Sequence, residues 1–133
     1  MMYATTTYEE SLERGIELFN QGRYFEAHEA WETLWLNAEE PRDKRFLQGL
    51  IMAAGAFIHY AKGECSGASI LLSKSREALE SGLNIHPEIR LPDFLKALDT
   101  IHETFDRCSF DIPVNALPRI STYGKPLVQR QVY

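Results

Sequence analysis

The 133-residue sequence has few cysteines, no long apolar run and no cluster of positive charge. The two cysteines, Cys65 and Cys108, have no CxxC spacing, so the sequence predicts neither a disulfide framework nor a zinc–thiolate site. We expect two reduced thiols in the cytosol. No segment approaches the roughly 18 consecutive apolar residues that a membrane span needs, and residues 1–8 lack the basic start and apolar core of a secretory signal. The net charge of −5 opposes contact with phosphate backbones and anionic membranes. These absences predict a cytoplasmic protein that binds neither nucleic acid nor membrane.

The apolar residues recur every three or four positions in five segments, which is the spacing of one helical face. Glycine or proline separates these segments. The predicted helices run from about 5 to 20, 24 to 38, 41 to 62, 66 to 81 and 92 to 107. The third segment is apolar on nearly all sides, which predicts the central helix of a bundle.

A short internal repeat predicts how these helices are joined. Residues 19–27 resemble residues 60–68, with Gly22 and Gly63 in register, and tetratricopeptide hairpins use such spacing to pack two helices closely. The sequence therefore predicts an all-α, compact bundle of about five helices built from antiparallel, TPR-like hairpins. We expect a single domain over 1–133, with a helical core at about 5–107 and an extended tail at 108–133. Three prolines keep that tail extended, and we expect a strap at 112–117 and looseness near Tyr133.

The second predicted helix places polar side chains inside its apolar stripe. At about 100° per residue, Glu32 and Trp35 lie within about 40° of His28 when viewed down the axis. Stripping water from a carboxylate costs several kcal/mol unless a partner compensates, so Glu32 predicts a partner, and His28 is one turn away. The two side chains can share a hydrogen bond or ligate one divalent metal ion.

The third helix offers further polar groups on a narrow face of small residues. If that face meets the second helix, side chains from both converge on one inward-facing site. The predicted metal ligands are His28 and Glu32, and the predicted ligand-binding residues are Glu29, Trp35, Gln48 and His59. The leading hypothesis is a site for a divalent metal ion or a small polar ligand; if it is catalytic, we expect metal-assisted hydrolysis.

Two alternatives stay open at this point. His28 and Glu32 form a structural buried pair that fixes how two helices pack, in a non-enzymatic helical protein-interaction module. Alternatively, Trp31 or Trp35 anchors a partner in a groove. The HExxH motif of zinc proteases is absent, since Glu32 stands where the second histidine belongs. His86 and His102 are expected to be ordinary surface or packing residues, and the oligomeric state, including a homo-oligomer, is left open.

The motif His-x-x-x-Glu-x-x-Trp, formed by His28, Glu32 and Trp35, resembles the signature of domain of unknown function 309, a family of small bacterial and archaeal helical proteins. The run Phe19-Asn20-x-Gly22-x-Tyr24-Phe25-Glu26-Ala27-His28-Glu29 and the segments Gln48-Gly49-Leu50-Ile51 and His59-Tyr60 extend the resemblance over roughly residues 8–82. The resemblance implies a helical protein with a metal-binding motif. No established reaction comes with it.

Overall fold

Five helices make up most of the described part of the computed structural model, which is residues 7–83, 85–113 and 116–123. They are α1 (Tyr8–Asn20), α2 (Tyr24–Asn37), α3 (Pro41–Ala61), α4 (Cys65–Glu80) and α5 (Leu91–Asp106). Within these ranges there is no strand, and an isolated β-bridge pairs Ile89 with Thr122. No described helix is long and apolar enough to cross a membrane. The predicted all-α class and the number of helices are confirmed, although the expected start near residue 5 lies outside the described residues.

The α1–α2 hairpin and the α3–α4 hairpin each turn at a glycine in the left-handed backbone conformation. Gly22 has a φ of 79° and Gly63 a φ of 82°. At each turn the next residue donates its N–H back into the preceding helix, from Arg23 to the carbonyl of Leu18 at 2.9 Å and from Glu64 to that of His59 at 3.0 Å. This is the Schellman end, in which glycine avoids the cost of a side chain at positive φ. Because α2 and α4 begin two residues after their glycines, the turns are short and each helix pair runs antiparallel.

Aromatic rings join helices that are distant in sequence into one core. The Phe19 ring on α1 lies 5.8 Å from the Phe57 ring on α3 and 5.6 Å from the Phe94 ring on α5. Phe57 in turn contacts Phe105 at 5.2 Å. Edge-to-face contacts of this kind add to the stabilisation from area burial. The central position predicted for α3 follows from its packing against both α2 and α4.

A C-terminal segment, residues 116–123, crosses the bundle and is called the strap below. Its Ile120 is buried, and the Asn20 side chain holds the Ile120 backbone with two hydrogen bonds of 2.8 Å, accepting from its N–H and donating to its carbonyl. Arg90 N–H donates to the Ser121 carbonyl at 2.8 Å. The predicted strap at 112–117 is only partly described, since residues 114 and 115 lie outside the described residues. The observed strap continues to residue 123, and the looseness expected near Tyr133 also lies outside them.

The two cysteines are joined by a disulfide, so the prediction of two reduced thiols is wrong. Cys65 begins α4 and Cys108 follows the end of α5; their Cα atoms are 5.6 Å apart across a sequence separation of 43 residues. The antiparallel pairing of α4 and α5 brings the start of one helix beside the end of the other. A prediction based on short spacings such as CxxC cannot detect two cysteines that only the packing of α4 against α5 brings together.

Candidate binding surface on helix α2

A tryptophan fixes which side of α2 faces the core. Trp31 is completely buried, and its indole Nε1–H donates to the carbonyl of Leu12 at 3.3 Å. The ring lies directly on α1 at Gly15, where an added Cβ would come within 2.2 Å of Nε1. The inward face of α2 is completed by Ala27, which is buried, and Leu34, which is half-buried. These three positions fall within about 60° of one another around the helix axis.

The opposite side of α2 is an exposed stripe of mixed character. Its ends are Phe25, 61% exposed, and Leu36, 67% exposed. Between them lie the exposed side chains of Glu29 and Glu32. The spacing of four, three and four residues keeps all four side chains within about 60° of one another, and the stripe is about 16 Å long at 1.5 Å per residue. We call these four residues the outer stripe.

The predicted burial of the His28–Glu32 pair is wrong. Glu32 is exposed and His28 is half-buried at the border of the inward face. No hydrogen bond joins the two side chains among those seen in the described part of the chain, so they are not a structural buried pair. The prediction centred the inward face on His28, Glu32 and Trp35, whereas the helix buries Ala27 and Trp31. The true inward face is rotated by about 100°, one residue step.

A lysine of α3 fixes the register between α2 and α3. Lys44 Nζ donates to the carbonyl of Trp35 at 2.8 Å and lies 4.3 Å from the centroid of its ring, in a cation–π contact. At the other end of the pair, the rings of Tyr24 and Phe57 stack at 4.7 Å. Trp35 is therefore a half-buried wall on the α3 side of the outer stripe, held in place by Lys44.

This register brings some of the predicted site residues to one level and separates others. Counting along the antiparallel pair from the Trp35–Lys44 and Tyr24–Phe57 contacts puts Glu32 within one residue of the level of exposed Gln48, and His28 within one residue of the level of Met52. His59 lies seven residues beyond Met52, about 10 Å further along α3. Its Nδ1 is 2.5 Å from the Glu64 carboxylate. His59 therefore pairs at the end of α3 and does not join His28.

The outer stripe and its border offer two side chains suited to a divalent metal ion. Across the residues that the structure describes, no group of three or more histidine, cysteine, aspartate or glutamate side chains is placed to hold one. A protein zinc site generally takes three or four protein ligands. His28 and Glu32 alone would therefore fill only part of the coordination sphere of a metal ion.

A cleft of about 240 Å³ lies elsewhere, between α4 and α5, and its lining includes Cys65, Ser69 and Asp106. Ser69 Oγ is 2.8 Å from His102 Nε2 and donates to Asp106 Oδ1 at 2.5 Å. In a catalytic triad the carboxylate holds the imidazole by its Nδ1–H, whereas Asp106 here accepts from the serine. The cluster therefore ties α4 to α5, in agreement with the packing role expected of His102. Sequence reasoning missed Ser69 because 33 residues separate it from its partner.

A comparison with known families matches the segment that carries the outer stripe. Residues 12–71 match the model of a family described as a domain of unknown function, DUF309. The resemblance inferred from the sequence is confirmed, over a shorter range than 8–82. The matched segment contains all of α2 and α3, and with them every predicted site residue. No curated protein matches the chain. The match therefore identifies a helical family without supplying a reaction.

Proposed function

We propose that this protein is a non-enzymatic helical binding module that uses the outer stripe of α2 to bind a basic, amphipathic helix of another protein. The observation that supports this proposal is the stripe itself, in which two exposed apolar side chains, Phe25 and Leu36, flank two exposed carboxylates, Glu29 and Glu32. An amphipathic helix typically binds such a surface through apolar anchors on one face.

The charge of α2 favours a basic partner. The helix contains three glutamates and no lysine or arginine, and exposed Glu39 and Glu40 follow it. The Glu26 carboxylate pairs with Arg23. The carboxylates of Glu29 and Glu32, by contrast, have no hydrogen bond or ion pair with any residue that the structure describes. A lysine or arginine of the partner would meet two uncommitted carboxylates, and such complementarity raises association rates and fixes register.

The dimensions of the stripe specify the partner further. Phe25 and Leu36 are eleven residues apart in an α-helix, about 16 Å. A partner helix lying along α2 matches this surface when its own apolar residues are about eleven positions apart with basic residues between them. Trp35, fixed by Lys44, forms one side of the surface without having to be ordered on binding. Preorganised side chains reduce the entropic cost of association.

The test uses a fluorescein-labelled helical peptide with leucine at positions i and i+11 and lysine at i+4 and i+7, measured by fluorescence anisotropy. We expect binding that weakens as salt is added, because the contact is partly electrostatic. The double variant Glu29→Lys, Glu32→Lys should weaken the affinity about tenfold or more, and Phe25→Ser, Leu36→Ser should do the same without changing the salt dependence.

A matched control comes from α4, where Ile70 is 57% exposed outside the stripe. Ile70→Ser should leave the peptide affinity unchanged, and a peptide with glutamate in place of both lysines should not bind. Equal affinity of the wild type and the charge-reversed variant for the lysine peptide would contradict the proposal. So would no binding to the wild type at millimolar peptide.

A second candidate function is binding of a divalent metal ion by His28 and Glu32. Support comes from their placement one turn apart on α2, with Glu32 exposed and His28 half-buried. Elemental analysis after dialysis against zinc, manganese or iron tests it, on protein made without a metal-affinity tag. Near-stoichiometric metal in the wild type that is absent from a folded His28→Ala, Glu32→Ala variant supports this function. No metal in either protein contradicts it, and His59→Ala, which removes a histidine paired elsewhere, is the control.

A further inference from the structure

We propose that the Cys65–Cys108 disulfide is a reversible redox-modification site. It is opened by a dithiol reductant and closed again in the same folded chain by the reverse exchange, with the cyclic disulfide form of that dithiol as the oxidant. The bond links Cys65, the first residue of α4, to Cys108, the second residue after the end of α5. The proposal is independent of the outer stripe, which lies on α2.

The disulfide is accessible to an attacking thiol. Cys108 is exposed, and Cys65 is half-buried in the lining of the cleft of about 240 Å³ between α4 and α5. Exchange requires a thiolate to reach one of the two sulfur atoms, and exposed disulfides are the labile ones. Because Cys108 is the more exposed residue, we infer that its sulfur is the one attacked.

The backbone at Cys108 favours opening. Cys108 has a φ of 54°, and the N–H groups of Cys108 and Ser109 donate to the carbonyls of Phe105 and Thr104. This is the same helix end that Gly22 and Gly63 form with glycine in the left-handed position. A residue with a Cβ is disfavoured in that conformation, so a cysteine released from its bond is free to relax.

The remaining contacts between α4 and α5 hold the fold when the bond opens. Ser69 bonds to His102 and Asp106 on α5. About two turns further along α4, Arg76 bonds to the Asp99 carboxylate at 2.5 and 3.0 Å. The segment beyond α5 has fewer attachments. Tyr60 donates its hydroxyl to the Ser109 carbonyl, and the exposed Phe110 ring lies 5.0 Å from the Tyr60 ring. Opening therefore loosens residues 107–111, which precede the core contact of Ile112, and leaves the helices paired.

The exchange balances as two substitutions at sulfur. A thiolate of the dithiol attacks Cys108 Sγ, the sulfur–sulfur bond breaks, and its electron pair leaves on Cys65 Sγ as a thiolate. The second thiol of the reductant then displaces Cys108 from the mixed disulfide. The two protons of the dithiol end on the two cysteines, and the reductant leaves as a cyclic disulfide. The charged groups near these sulfurs are Glu64, which is paired with His59, Asp106 in the cleft, and Arg107 beside Cys108.

The first measurement incubates the full chain in mixtures of reduced and oxidised dithiothreitol, followed by acid quenching, alkylation and mass spectrometry. We expect one transition between zero and two alkylated cysteines, the same in both directions, with unchanged far-ultraviolet circular dichroism. A disulfide that stays closed under native conditions would overturn the proposal. Loss of the helical signal on reduction would overturn it as well, since the bond would then be needed for folding.

The second measurement follows tryptic cleavage after Arg107, an exposed site next to Cys108. The Cys65→Ser, Cys108→Ser variant should be cut there about tenfold faster than the oxidised wild type, because local opening exposes the backbone. Cleavage after Arg14, exposed within α1, should not change. The Cys65→Ser, Cys108→Gly variant places glycine at the helix end, where positive φ favours it. This variant should therefore be cut more slowly than the double serine variant. Equal cleavage after Arg107 in the oxidised and the double serine proteins would contradict the loosening.

Discussion

The strap and the outer stripe of α2 differ in whether their polar groups are hydrogen-bonded within the protein. Along the strap, Asn20 bonds both backbone groups of Ile120, and Arg90 bonds Ser121. On the outer stripe, the carboxylates of Glu29 and Glu32 make no hydrogen bond or ion pair with any described residue. The polar groups of the strap thus maintain the fold, whereas those of the stripe remain available to another molecule.

The same contrast exists within α2 itself, since its inward face is sealed by Trp31 and its outward face is solvated. Substitutions should therefore change stability steeply on one side of this helix and hardly at all on the other. Two of the four predictions below test the two faces of α2, and the other two test the strap and its surroundings. They run from the largest expected effect to the smallest.

Trp31→Ala should lower the free energy of unfolding by about 3–5 kcal/mol, because truncating a buried tryptophan leaves a cavity. Denaturant titration followed by circular dichroism measures the loss. Trp35→Ala is the control, since Trp35 is half-buried at the border of the stripe and should cost clearly less. Equal losses for the two tryptophans would break the distinction between the two faces of α2.

Asn20→Ala should lower the free energy of unfolding by about 1–3 kcal/mol, because it leaves backbone groups of the strap without their partner. Asn37 provides a matched control: its side chain donates to the Thr33 carbonyl at 2.9 Å at the exposed end of α2. Asn37→Ala should change stability by less than about 0.5 kcal/mol. If thermal melts show the same loss for both variants, the strap is not a stabilising element.

Lowering the pH should weaken the end of the bundle where His86 packs against Tyr8 and Phe46. The neighbouring Glu88 is joined to the strap, since its carbonyl accepts from the N–H of Tyr123. Burial lowers the pKa of His86, and Glu88, Asp43 and Glu9 oppose that shift only in part. Since the folded-state pKa lies below the ordinary value of about 6.5, the stabilisation is present above that pH. It is lost as the pH falls through the folded-state pKa.

Denaturant titrations between pH 7.5 and pH 5 measure this effect, and His86→Gln should reduce the slope. Asn37→Ala, which removes no titratable group, serves as the control and should leave the slope as in the wild type. A slope that is unchanged in His86→Gln would assign the pH dependence to other groups.

Glu32→Gln should change the free energy of unfolding by no more than about 0.5 kcal/mol, because an exposed side chain without a partner contributes little. Differential scanning calorimetry gives the comparison with the wild type. A loss above about 1 kcal/mol would show that Glu32 is part of the packing after all, and that the stripe is less available than its exposure indicates.

Much of the fold could be predicted from the sequence, because helical periodicity and helix-ending glycines are local signals. Gly22 and Gly63 ended the predicted helices at the right places, and Pro41 marked the start of α3. The strap was harder to predict, since the contact between Asn20 and Ile120 joins residues 100 positions apart. The disulfide escaped prediction for the same reason.

The inward face predicted for α2 was turned by about one residue step from the face that the structure buries. Aromatic side chains dominate any estimate of where a helix is most apolar, and α2 carries four of them. The structure instead buries small Ala27 against its neighbours and turns Phe25 outwards. The inward face combines Ala27 with Trp31, and the Trp31 ring fits because Gly15 of α1 has no side chain in its way.

Helical hairpins that repeat in sequence usually form open-ended stacks, to which another unit can be added at either end. The strap gives this protein a different geometry, because it spans from the last residue of α1 to the start of α5, the first and the last helix of the series. Together with the contact between Phe19 and Phe94, it connects the first and the last described helix. A further unit added beside either helix would have to accommodate contacts that both of them share through the strap.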